Sequence, residues 1–244
     1  RCGSTDHGEF GSMRNARHSP EPAVLLTESP TELTTAATDA ILAIECMVIV
    51  VWLCRAAPEW RATLWCWIFG LMAFSSLLGA VAHGLMLPDP VRDLLWKPLY
   101  LSLGLVIALF MVGTIHDWRG QATAARLVPW SIVAGAAFFG LTEFSGGEFV
   151  VFVVYEAAVM VSALAIYLFL AGTHRLKGAG IVATGIFLNI LAAGLQAGEV
   201  SVHLLFPYDH NGIFHLVQMV ATATLGVGLV IGMQYHARRM PTNS

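Results

Sequence analysis

Long apolar stretches, separated by short polar breaks, make up most of the chain from residue 35 onward. A helix needs about 20 predominantly apolar residues to cross a bilayer. Seven stretches reach or approach that length, over residues 35–54, 62–86, 94–115, 127–143, 149–171, 179–205 and 212–235. Breaks such as Pro88-Asp89-Pro90 are too short to hold a soluble domain. The pattern predicts an all-α integral membrane protein, a seven-transmembrane helix bundle over residues 35–236.

The composition favours the same class of protein. Hydrophobic residues make up 57% of the chain and charged residues 12%, about half the charged share of a soluble domain. Such a chain has too little polar surface to cover a water-facing fold. The net charge is −3 without a basic run, so we expect the lipid bilayer, and no nucleic acid, as a partner. Arginine outnumbers lysine 11 to 2, which favours a GC-rich bacterium and a multi-pass protein of its inner membrane.

The two ends of the chain lie outside the predicted bundle. Residues 1–12 end in Gly-Ser before Met13 and are interpreted as the remnant of an expression tag. Residues 13–34 are predicted to form a polar N-terminal tail, and residues 237–244 a short C-terminal tail. The four cysteines include no CxxC pair, so a zinc site built from thiolates is not expected.

The cations of the loops predict the orientation in the membrane. Most of them follow the first, third, fifth and seventh stretches. These are Arg55, Arg61, Arg119, Arg126, Arg175, Lys177, Arg238 and Arg239. Because cation-rich loops stay in the cytoplasm, the N-terminus is expected outside and the C-terminus inside.

Ionisable residues in and beside the stretches gather on the predicted outer side. They are Asp39, Glu45, His83, Asp93, Glu143, Glu148, Glu156, Glu199, His203, Asp209, His210 and His215. An ionisable group in a span costs several kcal/mol and is therefore a functional-site hypothesis. The inner halves contain almost no acid or histidine, so the pattern predicts one buried polar site that opens to the outer face. Its deepest acids are Asp39, Glu45 and Glu156, whereas Asp209 is expected to be a helix N-cap.

Four of these residues are histidines, which suggests a zinc ion. They are His83, His203, His210 and His215. Neutral imidazole is the commonest protein ligand of zinc, and a catalytic zinc keeps three protein ligands and one water. Glu199 lies four residues before His203, and Asn211 lies four before His215, so each pair shares a helix face. His210 and His215 are about 140° apart on an ideal helix, so they share a metal only if His210 precedes the helix.

Ser76 is the candidate catalytic hydroxyl of the second stretch. It lies seven residues before His83 on the same helix face, about 10 Å deeper. That separation is too long for a direct nucleophile–base pair, and small residues in membrane helices usually serve close packing. Gly79, four residues before His83, is expected to leave space beside the imidazole.

Three groups of residues carry a resemblance to a known family. They are Ala80-Val81-Ala82-His83 late in the second stretch, Asp93 at the start of the third, and Asp209-His210-Asn211-Gly212-Ile213-Phe214-His215 at the start of the seventh. Together with the seven spans, over about residues 35–235, they resemble the CREST superfamily, which includes the alkaline ceramidases and the adiponectin and progestin receptors. The superfamily has Ser-x-x-x-His in the second span, where this chain has Gly79. It has His-x-x-x-His in the seventh, where Asn211 stands four residues before His215 and His210 comes one residue early.

The resemblance implies a membrane-embedded zinc hydrolase that acts on a lipid amide or ester at the outer side. His83 and His215 would be zinc ligands, and the third ligand is left open between His203, His210 and Glu199. Asp93 or Glu199 would take the proton of a metal-activated water. Asp39 and Glu45 are loosely similar to acids of the ceramidases that look like calcium ligands, which implies Ca²⁺ beside them.

A different class of function uses the same residues. A seven-helix receptor or transporter would bind a ligand or ion in the His and carboxylate pocket, with Asn211, and no bond would be cleaved. A carrier of two haems is disfavoured because its four histidines would lie at two depths. A retinal protein is disfavoured because the lysines, Lys97 and Lys177, lie outside the seventh stretch.

Overall fold

The computed structural model describes residues 25–56, 59–145, 149–198, 200–203 and 205–239. These residues form seven α-helices, each long and apolar enough to cross a membrane. The helices are α1 (Pro30–Ala56), α2 (Trp60–Gly84), α3 (Asp89–Arg119), α4 (Gln121–Phe144), α5 (Phe149–Gly172), α6 (Ala179–Ala197) and α7 (His210–Arg239). Strands β1 (Val202–His203) and β2 (Pro207–Tyr208) pair antiparallel between α6 and α7. The fold is therefore a helical bundle with seven helices of membrane-spanning length and apolarity, as the apolar pattern predicts.

Successive helices run in opposite directions, so the starts of α1, α3, α5 and α7 share one end of the bundle. We call this the upper end and the opposite one the lower end. Hydrogen bonds join the upper end across the fold: the Thr27 amide donates to the Gly84 carbonyl at 2.9 Å, and the Thr34 hydroxyl donates to the Pro207 carbonyl at 2.8 Å. The first helix is thereby fixed to the end of α2 and to the hairpin that precedes α7.

Aromatic packing fills the lower half of the bundle. Trp65 and Phe110 meet edge to face with ring centroids 5.2 Å apart, and both side chains are buried. A Cβ on Gly113 would lie 2.8 Å from the Trp65 ring. Glycine at this position therefore lets α3 approach α2 closely enough for the two rings to pack.

The sixth helix is shorter than the sequence pattern predicts. It ends at Ala197, where Gly198 follows, and not at residue 205. The prediction that Glu199 and His203 share one helix face is therefore wrong for His203, which lies exposed in β1. Glu199 lies outside the described residues. Apolar residues such as Val200 and Val202 extend the hydropathy signal past the point where the helical hydrogen bonds stop.

The lower end contains a buried acid just beyond residue 115, where the predicted third stretch ends. The third helix continues to Arg119, so Asp117 lies inside it, and its side chain is 1% exposed. Arg61 donates from Nε and from its terminal nitrogen to the two Asp117 oxygens, both at 2.6 Å. The Tyr167 hydroxyl donates to the same carboxyl at 2.8 Å. Because Arg61 and Asp117 are paired, both lie inside the helical bundle. A hydropathy pattern instead takes each charged residue as the end of an apolar stretch.

Candidate functional site

A cavity of about 280 Å³ lies among six of the seven helices. Its lining at the upper end is polar: Asp39, His83, Gln196, Asn211 and His215. Its lining toward the lower end is apolar: Ile68, Phe69, Val106, Phe110, Met160 and Leu225. Ile68 lies fifteen residues before His83 on α2, which corresponds to about 22 Å along the helix axis. The cavity is therefore long, with a polar upper part and an apolar lower part.

Asp39 brings a carboxylate to the polar part of the cavity from α1. Its Oδ1 lies 3.5 Å from Nε2 of His215, which is too long for a strong hydrogen bond. Its Oδ2 lies 2.6 Å from the position that a Cβ on Gly79 would take. The space that the sequence analysis assigned to the His83 ring is thus filled by Asp39.

His215 is held by Thr38 through the Nδ1 atom of its ring. The His215 Nδ1 lies 3.1 Å from the Thr38 hydroxyl oxygen. That hydroxyl has one proton, which it donates to the carbonyl of Thr34 or Thr35 at 3.0 and 2.9 Å. When the hydroxyl proton goes to a backbone carbonyl, the Thr38 oxygen accepts a hydrogen bond from Nδ1–H of His215. The lone pair of Nε2 then faces the Asp39 carboxylate, so two acceptors point at each other.

His83 is oriented by a carboxylate that the sequence analysis missed. Its Nδ1 lies 2.6 Å from Oε2 of Glu32, and its ring packs edge-on against Trp96. Because Glu32 contacts Nδ1, the other ring nitrogen of His83, Nε2, is available to bind a ligand or a metal ion. Glu32 falls in the region predicted as a polar tail, but α1 begins at Pro30. The signal in the sequence is its spacing, since Glu32 lies two turns before Asp39 on the same helix face.

Two carboxamides complete the polar part of the cavity. The Gln196 side-chain amide donates to Oδ1 of Asn211 at 2.8 Å and joins α6 to α7. Asn211 was predicted as a buried polar residue, whereas Gln196 was not. Each amide keeps hydrogen-bonding capacity for a ligand, because the bond uses one of the donors of Gln196 and one lone pair of Asn211.

Glu156 and Ser76 line the cavity nearer to the apolar part. The Glu156 residue is 9% exposed, and the residues that the structure describes give its carboxyl no hydrogen bond or ion pair. Ser76 is buried. Its neighbour Ser75 also lines the cavity, but that hydroxyl donates to the Met72 carbonyl at 3.0 Å.

Several predicted site residues lie outside the cavity lining. Asp93 and His203 are exposed, and His210 is the first residue of α7. Glu45 lies six residues beyond Asp39 and is not among the lining residues. Its Oε1 is buried without a hydrogen-bond partner among the described residues. Asp209 is confirmed as the helix cap, since its Oδ1 accepts from the Gly212 amide at 2.8 Å.

The donor atoms of the cavity partly fit a zinc ion. Two histidines and one carboxylate form the donor set of many catalytic zinc sites, in which neighbouring ligand atoms lie about 3.3 Å apart. The 3.5 Å between Asp39 Oδ1 and His215 Nε2 agrees with that spacing. In the part of the chain that the structure describes, however, no group of three or more His, Cys, Asp or Glu residues is close enough to hold a metal ion. His83 lines the same cavity and would be the third donor.

The fold and the cavity define a class: a seven-helix membrane protein with a buried site of histidines and carboxylates. The model of a family of unknown function, DUF6962, matches residues 34–234. The match covers most of the chain, including every residue that lines the cavity, so the protein belongs to this family. Neither a curated protein nor a solved structure matches the chain.

Proposed function

We propose that the protein is a metal-dependent hydrolase that cleaves an amide or ester bond of a membrane amphiphile. The carrying observation is the approach of Asp39 Oδ1 to His215 Nε2, 3.5 Å apart in a buried cavity. Two lone pairs that face each other in a buried site require a cation or a proton between them. A metal ion supplies that charge and uses the two atoms as ligands.

The shape of the cavity supports an amphiphilic substrate. An acyl chain would lie along the apolar part, and the bond to be cleaved would lie beside Asp39 and the two histidines. Gln196 and Asn211 offer donors and acceptors for the polar group of the substrate. With the upper end facing outward, as the loop charges predict, the substrate would come from the outer leaflet.

His215, Asp39 and His83 would hold the metal, with zinc as the expected ion. A zinc ion in such a site polarises a carbonyl group and activates a water molecule. Glu32 and Thr38 would keep the two rings oriented through their Nδ1 atoms, as outer partners of metal-binding histidines commonly do. The Oδ2 atom of Asp39 would take the proton of the attacking water while the bond from water oxygen to carbonyl carbon forms. The leaving amine or alcohol would receive that proton as its bond to the carbonyl carbon breaks.

The proposal is tested by the zinc content of protein purified in detergent. We expect one equivalent of zinc in the parent, and a zinc content at least about tenfold lower in His215→Ala and in Asp39→Asn. His203→Ala is the matched control, because His203 is exposed on β1 outside the cavity lining. Zinc retained in both cavity variants, or no zinc bound by the parent after addition of the metal, would overturn the proposal.

A second function is binding or transport of an amphiphile without cleavage. The observation that favours it is the lack of a preassembled group of three metal donors among the described residues. A shared proton between Asp39 and His215 would satisfy the same facing acceptors. In that case the parent would take up no zinc, but amphiphiles would still raise its unfolding temperature.

A further inference from the structure

The charges that line the cavity are unbalanced. Two carboxylates, Asp39 and Glu156, face it, and the described lining residues include no lysine or arginine. His83 and His215 each have one ring nitrogen that serves as a donor within the protein and a second that is available as an acceptor. The electrostatics of the cavity therefore favour cationic groups over anionic ones.

Glu156 is separate from the pair formed by Asp39 and His215. It comes from α5, and the lining residues one turn before and one turn after it are apolar, Phe152 and Met160. Glu156 is only 9% exposed, and no described residue gives it a hydrogen bond or an ion pair. A buried carboxylate without a partner is costly, and an acid within a membrane helix is therefore expected to have a functional partner. Since the described residues supply none, the partner comes from the ligand.

The depth of Glu156 places it close to the reacting part of the cavity. Counting from the upper end, Glu156 lies seven residues into α5, and Ser76 lies seven residues from His83. At 1.5 Å per residue both depths are about 10 Å. Gly79, which contacts Asp39, is one turn higher on α2 than Ser76. Glu156 therefore lies near the boundary between the polar and the apolar parts, within about one turn of the level of Asp39.

The size of the cavity limits the number of chains in the ligand. Its volume is about 280 Å³. Binding sites for small molecules commonly measure about 300–1,000 Å³. A volume at the lower limit of this range favours one hydrocarbon chain over two.

We propose that Glu156 binds a cationic amine of a single-chain amphiphile, so that the ligands of this protein are long-chain amines or molecules with an amine near the bond to be cleaved. The inference deepens the proposed function and rests on its amphiphile-binding cavity, but it does not depend on the metal. The carboxylate of Glu156 accepts charge-assisted hydrogen bonds from the ammonium group, and the chain extends along the apolar part.

The test compares three probes with the same hydrocarbon chain: dodecylamine, dodecanol and dodecanoate. Binding to the purified protein is measured by titration in detergent. We expect the parent to bind the amine about tenfold more tightly than the alcohol, because a hydrogen bond to a charged group is stronger than a neutral one. In Glu156→Gln this preference is expected to disappear. Glu156→Asp, which keeps the charge, is expected to retain most of it.

Asp93→Asn is the matched control, because it removes an exposed acid from the same end of the bundle. Equal binding of the amine by the parent and by Glu156→Gln would overturn the inference, and so would a preference of the parent for dodecanol or dodecanoate. If Glu156→Gln does not fold, the comparison rests on the parent and on folded Glu156→Asp: a preference for the amine in both supports the inference, and its absence from either contradicts it.

The zinc content tests the proposed hydrolase independently of the preference for the amine. A parent that prefers the amine but binds no zinc contradicts the hydrolase alone. A parent that binds zinc in the cavity but shows no preference for the amine contradicts the role of Glu156 alone.

Discussion

Acidic side chains are buried at both ends of the bundle, but they differ in whether the protein gives them hydrogen-bond partners. At the lower end Asp117 accepts two bonds from Arg61 and one from Tyr167, at 2.6, 2.6 and 2.8 Å. At the upper end Asp39 faces another acceptor at 3.5 Å, and Glu156 has no partner among the described residues. A buried charge whose hydrogen bonds are all made within the chain has a structural role. A buried charge that the chain does not pair indicates a site for a ligand.

The largest expected effect is at the lower end. Arg61→Ala would leave Asp117 as a buried, unpaired carboxylate, and removal of one partner from a buried ion pair costs about 3–5 kcal/mol. The free energy of unfolding in detergent measures the loss. Lys97→Ala is the control, since Lys97 and Glu143 form an exposed pair at 3.3 Å that is worth at most about 1 kcal/mol.

Asp39→Asn is the matching substitution at the upper end. Because Asp39 has no bonded partner comparable to Arg61, we expect the free energy of unfolding to change by less than about 1 kcal/mol. A loss from Asp39→Asn as large as that from Arg61→Ala would show that the two ends do not differ as described.

A loss of stability smaller than that of Arg61→Ala is expected from Gly79→Ala. The new methyl group would meet Asp39 Oδ2 at 2.6 Å, so α1 and α2 must separate or the carboxylate must turn away. Overpacking of this kind costs about 1–3 kcal/mol, and we expect zinc binding to be lost with it. Gly70→Ala is the control on the same helix, because a Cβ at Gly70 meets no atom within 4 Å. Zinc binding that survives Gly79→Ala would argue against Asp39 as a ligand.

A loss of stability smaller than that of Gly79→Ala is expected from Thr38→Val. The substitution removes the acceptor of the His215 Nδ1–H and costs about 1 kcal/mol, the net worth of one hydrogen bond. Zinc affinity should fall further, by about 10–100-fold, because the ring loses its orienting partner. Thr184→Val is the control, since the exposed Thr184 hydroxyl bonds only to its own helix. Equal zinc affinities of the two variants, measured by competition with a chelator, would contradict this role of Thr38.

The sequence predicts how deep each polar residue lies in the bundle better than it predicts where the side chain points. Asp39, His83, Glu156, Asn211 and His215 all line one cavity, as expected from their positions along the apolar stretches. Depth follows from counting residues along a helix. The direction of a side chain depends on how each helix is rotated against its neighbours, which a single sequence does not specify.

The residues that differ from the prediction show this limit. Asp93 begins the third stretch but is exposed, and His203 leaves the bundle because α6 ends early. Glu32 was missed because α1 starts before its apolar stretch does. Arg61 and Asp117 fall outside the predicted stretches because hydropathy counts each charge separately and takes no account of pairing across helices.

The contact between Asp39 and Gly79 has a consequence for the evolution of the family. A carboxylate at position 39 and a side chain at position 79 compete for the same volume, so the two positions cannot change independently. Family members with serine or alanine at the position of Gly79 are expected to have a smaller residue in place of Asp39. An alignment of the family should therefore show covariation between these two positions, forty residues apart in the chain and on different helices.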